Sequence, residues 1–313
     1  MPVWILLAAG AQFLNAIVAL VDKYIVTDER IVPQPFVYAF YTCALSGAAI
    51  AVYALAAVPT SLHGVAFPDI HNVRFPTLEV MGLALLSAYT FFYALVSLFQ
   101  ALRRADASDV APVVGAVSAV CSYALAYLFL DARLTQNFLL GVLLLALGTA
   151  LVSRFRFSWK IALSCLHAGV FFALHFVVIK GLFNATSFDD GFFWSRVGFV
   201  AFALSLLLVP PYGRRILAQA KATGGRASVF VLGNKVIAGF ASILILKATE
   251  LGDVSVVQAL GGLQYLFIFA LGAFFVGPYT PSVCGEKGCT PRILLHKGLF
   301  IAIIAVGFLV LFW

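Results

Sequence analysis

Charge is scarce in this sequence. Lys and Arg number 20 and Asp and Glu 13 among 313 residues, so charged residues make up 11%, whereas a soluble domain carries about 25%. Water is therefore not the main solvent of the chain. Catalytic motifs are missing as well. There is no G-x-S-x-G, no H-E-x-x-H, no glycine-rich phosphate loop and no cluster of acids for a metal, which leaves an enzyme without its working parts. The net charge of +7 is spread over short connections, so no contiguous basic patch points to nucleic acid. Of the five cysteines, Cys43, Cys121 and Cys165 lie in apolar runs as small hydrophobes. Cys284 and Cys289 are spaced to close a tight disulfide in an oxidising compartment, or to remain two thiols. With only His296 nearby, they are short of ligands for a metal. No metal or cofactor is expected.

What is present is hydrophobic sequence, 63% of the chain. Apolar segments run over 3–26, 34–58, 78–101, 107–130, 136–154, 159–183, 189–211, 228–249, 253–277 and 297–313. Each is long enough for a spanning helix, which needs roughly 20 residues, and each is apolar on all faces, unlike the alternating strands of a barrel. The first lacks the basic start and cleavage site of a secretory signal, so it reads as a retained helix. Short separators carry Pro33 and Pro35, Pro59 with Pro68 and Pro76, Pro210 and Pro211, and Pro278 with Pro281.

The two halves repeat each other. Lys23 near the end of the first segment corresponds to Lys180 near the end of the sixth, 157 residues on. The stretch from Gln100 overlies that from Lys247, pairing Ala101 with Ala248, Asp106 with Asp253 and Ser108 with Ser255. An odd number of helices per half makes the second copy enter from the opposite face. The expected fold is an all-α integral membrane protein of ten transmembrane helices in two inverted five-helix repeats, 1–155 and 156–313. Such repeats place a substrate site between them near the bilayer midplane.

The block Ala101-Leu-Arg-Arg-Ala-Asp-Ala-Ser-Asp-Val-Ala-Pro-Val-Val, followed by Leu128-Phe-Leu-Asp-Ala-Arg-Leu-Thr and Gly141-Val-Leu-Leu-Leu-Ala-Leu-Gly, resembles the ten-helix EamA type of the drug/metabolite transporter superfamily. Departures are Asp131 where the family usually has Glu, the Cys284 loop replacing that turn in the second copy, and Ala259 opposite Pro112. The resemblance implies a transporter without naming its cargo, since the family carries amino acids, nucleotide sugars, drugs and other metabolites.

An ionisable side chain at the bilayer centre costs about 2.5–3.5 kcal/mol on insertion scales and usually faces a cavity or a partner. The candidates for substrate contact are Asn15, Tyr89, Tyr93, His167, His175, Trp194, Arg196, Lys235, Gln258 and Gln264. Arg196 and Lys235 line a cavity or form structural pairs. His167 and His175, eight residues apart and within about 80° on one helix face, relay protons or hydrogen-bond in packing. Gln258 and Gln264 bridge helices or touch cargo, and Asn15 needs a polar partner. Lys23 and Lys180 read as snorkelling anchors. Asp22, Asp109, Asp131 and Asp253 lie close to segment ends, so the spans show buried cations without a buried acid. That balance favours a neutral, zwitterionic or anionic cargo. The expectation is thus a secondary carrier of a small metabolite, amino-acid-like or similar, working by alternating access in the plasma membrane, with lipid and small-molecule substrate as its partners. A homodimer stays open, and a lipid flippase or scramblase is the alternative.

The site is expected between the repeats, lined from the first, third, sixth, seventh, eighth and ninth segments, with the fifth and tenth peripheral. Two arguments disagree on orientation. Apart from Lys and Arg in or beside spans, thirteen basic residues fall on the face opposite the termini and only Arg74 and Arg133 share the terminal face, which puts the termini outside; the family resemblance implies both termini in the cytoplasm. We follow the charge count, which is most dependable in short loops. Impermeant thiol labelling of intact cells, after reduction and with Cys43, Cys121 and Cys165 replaced, is then expected to leave Cys284 and Cys289 unlabelled. Labelling of either reverses the orientation.

Overall fold

The computed structural model describes residues 2–28, 31–32, 34–57, 68–105, 107–131, 139–141, 143–144, 158–222, 224–275 and 306. All regular structure among them is helical. The helices are α1 (Val3–Thr27), α2 (Pro35–Ser46), α3 (Leu78–Arg104), α4 (Ala107–Phe129), α5 (Trp159–Ala185), α6 (Phe188–Leu207), α7 (Pro210–Ala222), α8 (Gly225–Leu251), α9 (Val254–Ala259) and α10 (Gly262–Phe275). A 3₁₀ segment, Gly47–Ala57, continues α2, and a short one spans Ile70–Asn72. Among the described residues, seven helices are long and apolar enough to cross a membrane: α1, α2 with its 3₁₀ extension to Ala54, α3, α4 from Asp109, α5, α6 and α8. The fifth and tenth apolar segments, apart from a few residues, lie outside the described residues, as do Asp106, Cys284 and Cys289.

Local chemistry sets the helix ends. The Thr77 hydroxyl accepts from Val80 N–H to cap α3, Ser187 accepts from Asp190 N–H to cap α6, and Asp253 accepts from the N–H groups of Ser255 and Val256 to cap α9. Two elements depart from the sequence reading. Pro210 and Pro211, read as the close of the seventh segment, instead open the amphipathic helix α7, because proline fits the first helical turn, where no N–H partner is needed. The ninth segment is broken at Leu260 and Gly261 into α9 and α10.

Packing is organised by three long pairings: α5 runs along α3, α1 along α8, and α4 along α5. Close approach rests on glycine. A side chain at Gly198 would meet the Ala84 carbonyl of α3 at 2.8 Å, and one at Gly169 would meet the Val114 carbonyl of α4 at 2.8 Å, the small-residue packing that brings membrane helices together.

Lys23 and Lys180 are built into the protein rather than reaching for the interface. The Lys23 ammonium donates to the carbonyls of Leu102 (2.6 Å) and Ala105 (2.8 Å) at the end of α3. The Lys180 ammonium donates to those of Thr249 (3.0 Å), Glu250 (2.7 Å) and Gly252 (3.0 Å) at the end of α8. Each cation satisfies terminal carbonyls and sits at the negative end of the helix dipole. Replacing Lys180 by Met strands three acceptors and is expected to cost about 2 kcal/mol, read as a lower melting temperature in detergent, while Lys160→Met at the exposed start of α5 changes nothing. Equal melting of both variants would refute the cap.

Candidate functional site

The helical period that buries Ile5, Ala8, Ala11, Val18 and Val26 on α1 also buries Asp22. On α8 the buried stripe through Val231, Ala241 and Ile245 includes Asn234 and Lys235. Where these stripes meet, Asp22 Oδ1 accepts from the Lys235 ammonium at 3.2 Å, from Asn234 Nδ2 at 2.7 Å and from the Tyr38 hydroxyl of α2. Asn234 Nδ2 also donates to the Tyr38 oxygen at 3.3 Å. The Lys235 ammonium lies 4.1 Å from the centre of the Tyr38 ring and 5.6 Å from that of Phe99, a cation–π arrangement strengthened by desolvation. Asn234 Oδ1 is buried and has no hydrogen-bond partner among the described residues.

This corrects the expectation of cations without an acid. Asp22 is buried, and Lys235 is its ion-pair partner. Arg196 differs. It is 4% exposed, its guanidinium carbon lies 5.2 Å from the Phe192 ring centre and 4.6 Å from that of Phe199, and its Nε donates to Ser195 Oγ at 3.4 Å. Among the described residues it has no ion pair, so it is the unbalanced positive charge of the site.

Arg196 and Lys235 line one cavity of about 370 Å³. Its walls are α2 with the 3₁₀ segment, α6 and α8, and Phe91 enters from α3. The lining is mostly alanine, valine, leucine and phenylalanine, relieved by the hydroxyls of Thr42, Ser46 and Ser242. Leu232, Val236 and Phe240 of α8 form its exposed rim. An apolar cavity with a few convergent polar groups is the usual form of a small-molecule site. A second cavity of about 720 Å³ lies at the α5–α6 turn, among His71, Arg74, Glu79, Asp189, Asp190 and Trp194. We take the first as the site because the buried charges converge there.

The remaining candidates lie elsewhere. Trp194 donates through Nε1 to the Arg74 carbonyl at 2.9 Å and belongs to the second cavity. Gln264 donates to the Asn15 carbonyl at 3.2 Å, tying α10 to α1, and Gln258 accepts from Ser118 Oγ at 3.3 Å, tying α9 to α4; these are helix bridges. Tyr89 and Tyr93, with ring centres 4.8 Å apart, join an aromatic cluster with Phe171 and Phe202. Both histidines turn to serines of α3. His167 Nδ1 is 2.7 Å from Ser97 Oγ, and buried His175 Nδ1 is 3.2 Å from Ser87 Oγ. His167 is exposed, and no hydrogen-bond chain joins the two among the described residues. The relay reading therefore lapses in favour of packing. The His175 ring is tilted against that of Phe91, 4.8 Å between ring centres, which places it behind the cavity wall. Sequence reasoning missed Asp22, Tyr38, Asn234 and the hydroxyls of Thr42 and Ser46; the signal for Asp22 was its place on the apolar stripe of α1, one turn from Val18 and from Val26.

Seven candidate spans among the described residues, four of which contribute to a cavity holding two buried cations, define the class, a multi-pass helical membrane protein. Within it, residues 2–154 match the model of the EamA-like transporter family, which is what that part of the chain is similar to. The whole fold is similar to a solved crystal structure described only as that of a protein, with a TM-score of 0.61 at 17% sequence identity over 97% of this chain and 96% of that one; at such identity the likeness concerns the fold alone. No curated protein matches the chain.

Proposed function

We propose that the protein is a secondary transporter of a small neutral, zwitterionic or anionic metabolite, amino-acid-like or similar, held in the cavity between α2, α6 and α8. The unpaired Arg196 guanidinium carries this reading. It is buried in a cavity wall beside phenyl rings, where an acidic group of the cargo would replace the counter-charge that the protein does not provide. The apolar walls accommodate a hydrocarbon or aromatic body, and the hydroxyls of Thr42, Ser46 and Ser242 offer neutral hydrogen bonds.

The ten-helix, two-repeat architecture with boundaries near 155 is part of the same proposal. Its support is the recurrence of one device. Lys23 grips the carbonyls of Leu102 and Ala105, while Lys180 grips those of Thr249 and Gly252, the residues 147 positions further on. The helix pairings α1 with α8 and α5 with α3 exchange under the same correspondence. Related halves that meet at a central cavity can rock against each other, which gives alternating access. The plasma membrane is the proposed location. Of the two membrane roles weighed, solute transport is the one that the family match of the first half favours.

The test uses three aromatic probes of similar size in proteoliposomes: benzenesulfonate, phenylalanine and benzylammonium. The anion and the zwitterion are expected to enter and the cation not. Arg196→Ala, checked for monodispersity, should lower anion flux at least about tenfold, the equivalent of one charge-assisted hydrogen bond. Preferential uptake of benzylammonium would overturn the reading.

A further inference from the structure

The Asp22 carboxylate is unevenly used. All three of its donors, the Lys235 ammonium, Asn234 Nδ2 and the Tyr38 hydroxyl, converge on Oδ1, and Oδ2 has no hydrogen bond among the described residues. The Lys235 contact, at 3.2 Å, is longer than the 2.7–2.9 Å usual for an ammonium on a carboxylate. Lys235 is also the member of the group that lines the cavity, so an anion arriving there competes with Asp22 for it. Beside them Asn234 donates through Nδ2 while its Oδ1 remains a buried acceptor without a partner. A carboxamide that donates one bond and offers one acceptor complements a neutral carboxylic acid, which has one C=O and one O–H. The site therefore holds a ready partner for the protonated form of Asp22 as well as an ion-pair partner for the ionised form.

We propose that Asp22 is a proton-exchange site coupled to cargo: an anionic cargo drawn in by Arg196 also takes Lys235, which lines the same cavity, and Asp22 takes up a proton from the same aqueous phase. In balance, the ion pair between Asp22 and Lys235 plus cargo anion plus H⁺ gives neutral Asp22 plus an ion pair between Lys235 and cargo, with Oδ2 as the atom protonated. The step is driven by desolvation, because a buried carboxylate that has lost its ion partner is costly unless it neutralises. The charged and titratable groups around Asp22 are consistent with one exchangeable proton. From α8 there is Lys235; from α2 there are Tyr38, which donates to the carboxylate, and buried Cys43; α6 contributes Arg196 across the cavity; on α1 itself, Lys23 is turned to the carbonyls ending α3. Cargo and proton then move together, so a pH gradient can drive accumulation of an anion. The inference rests on the carrier reading and deepens it.

The test measures internal acidification and uptake together in proteoliposomes holding the full chain, a trapped pH dye and a potassium–valinomycin clamp. Benzenesulfonate is the probe because it stays ionised throughout the working pH range and carries no proton of its own. Wild-type protein is expected to give a proton-to-benzenesulfonate ratio near one. Asp22→Asn should give a ratio near zero whatever its absolute rate, since the ratio is independent of how much protein inserts. A wild-type ratio near zero sinks the proton site and leaves the carrier standing, and so does a ratio near one in Asp22→Asn. No benzenesulfonate flux in wild type sinks both. Should Asp22→Asn fail to insert, the double variant Asp22→Asn with Lys235→Met, which leaves neither buried charge unpaired, takes its place: a ratio near zero is expected, and a ratio near one overturns the assignment.

Discussion

A carboxylate and an ammonium brought together inside a membrane constrain everything around them. Either charge alone would carry a penalty of about 2.5–3.5 kcal/mol on insertion scales, and the protein avoids it by holding Asp22 of α1 against Lys235 of α8. That one contact fixes the register of the long α1–α8 pairing. It also requires α2 to come close enough for the Tyr38 hydroxyl and ring to take their places. The cavity follows as a consequence. Its wall is the same stretch of α2 and α8 that encloses the pair, and Lys235 belongs to both.

Arg196 marks the contrast between a charge that is satisfied and one that is not. Its phenyl neighbours at Phe192 and Phe199 soften burial through their π faces, yet no described carboxylate neutralises it. A net positive charge in a low-dielectric chamber selects against cations and attracts acids. The function proposed thus depends on a counter-charge being absent at α6 and present at α1.

Much of the architecture was legible from sequence. Continuous apolar runs gave helices whose described boundaries agree within a few residues, since the cost of unsatisfied backbone in lipid leaves helices as the choice. The Lys23 and Lys180 correspondence was visible too, although its purpose was not. A lysine near a helix end reads as an interfacial anchor, and only the fold shows that its target is the end of another helix. The site was half legible. Arg196 and Lys235 stood out because charge in an apolar run is conspicuous. Asp22 was hidden by the adjacent Lys23, which made the two look like a terminal pair, although the stripe of α1 points them in different directions. The α2 wall escaped notice because alanine, serine and threonine at close helical approach look the same in sequence whether they pack or line a space. Trp194, His167 and the glutamines are polar groups with partners on other elements, and sequence spacing does not distinguish these from ligands.

Asp22 and Lys235 are energetically one unit, and a double-mutant cycle on thermal stability in detergent reads their coupling. Asp22→Asn and Lys235→Met alone each leave a buried charge without its partner, which costs about 3–5 kcal/mol, whereas the double variant leaves neither. The double variant is expected to melt above both single variants. A double variant that melts lower than either, with the single losses adding, would show that the two charges do not depend on each other.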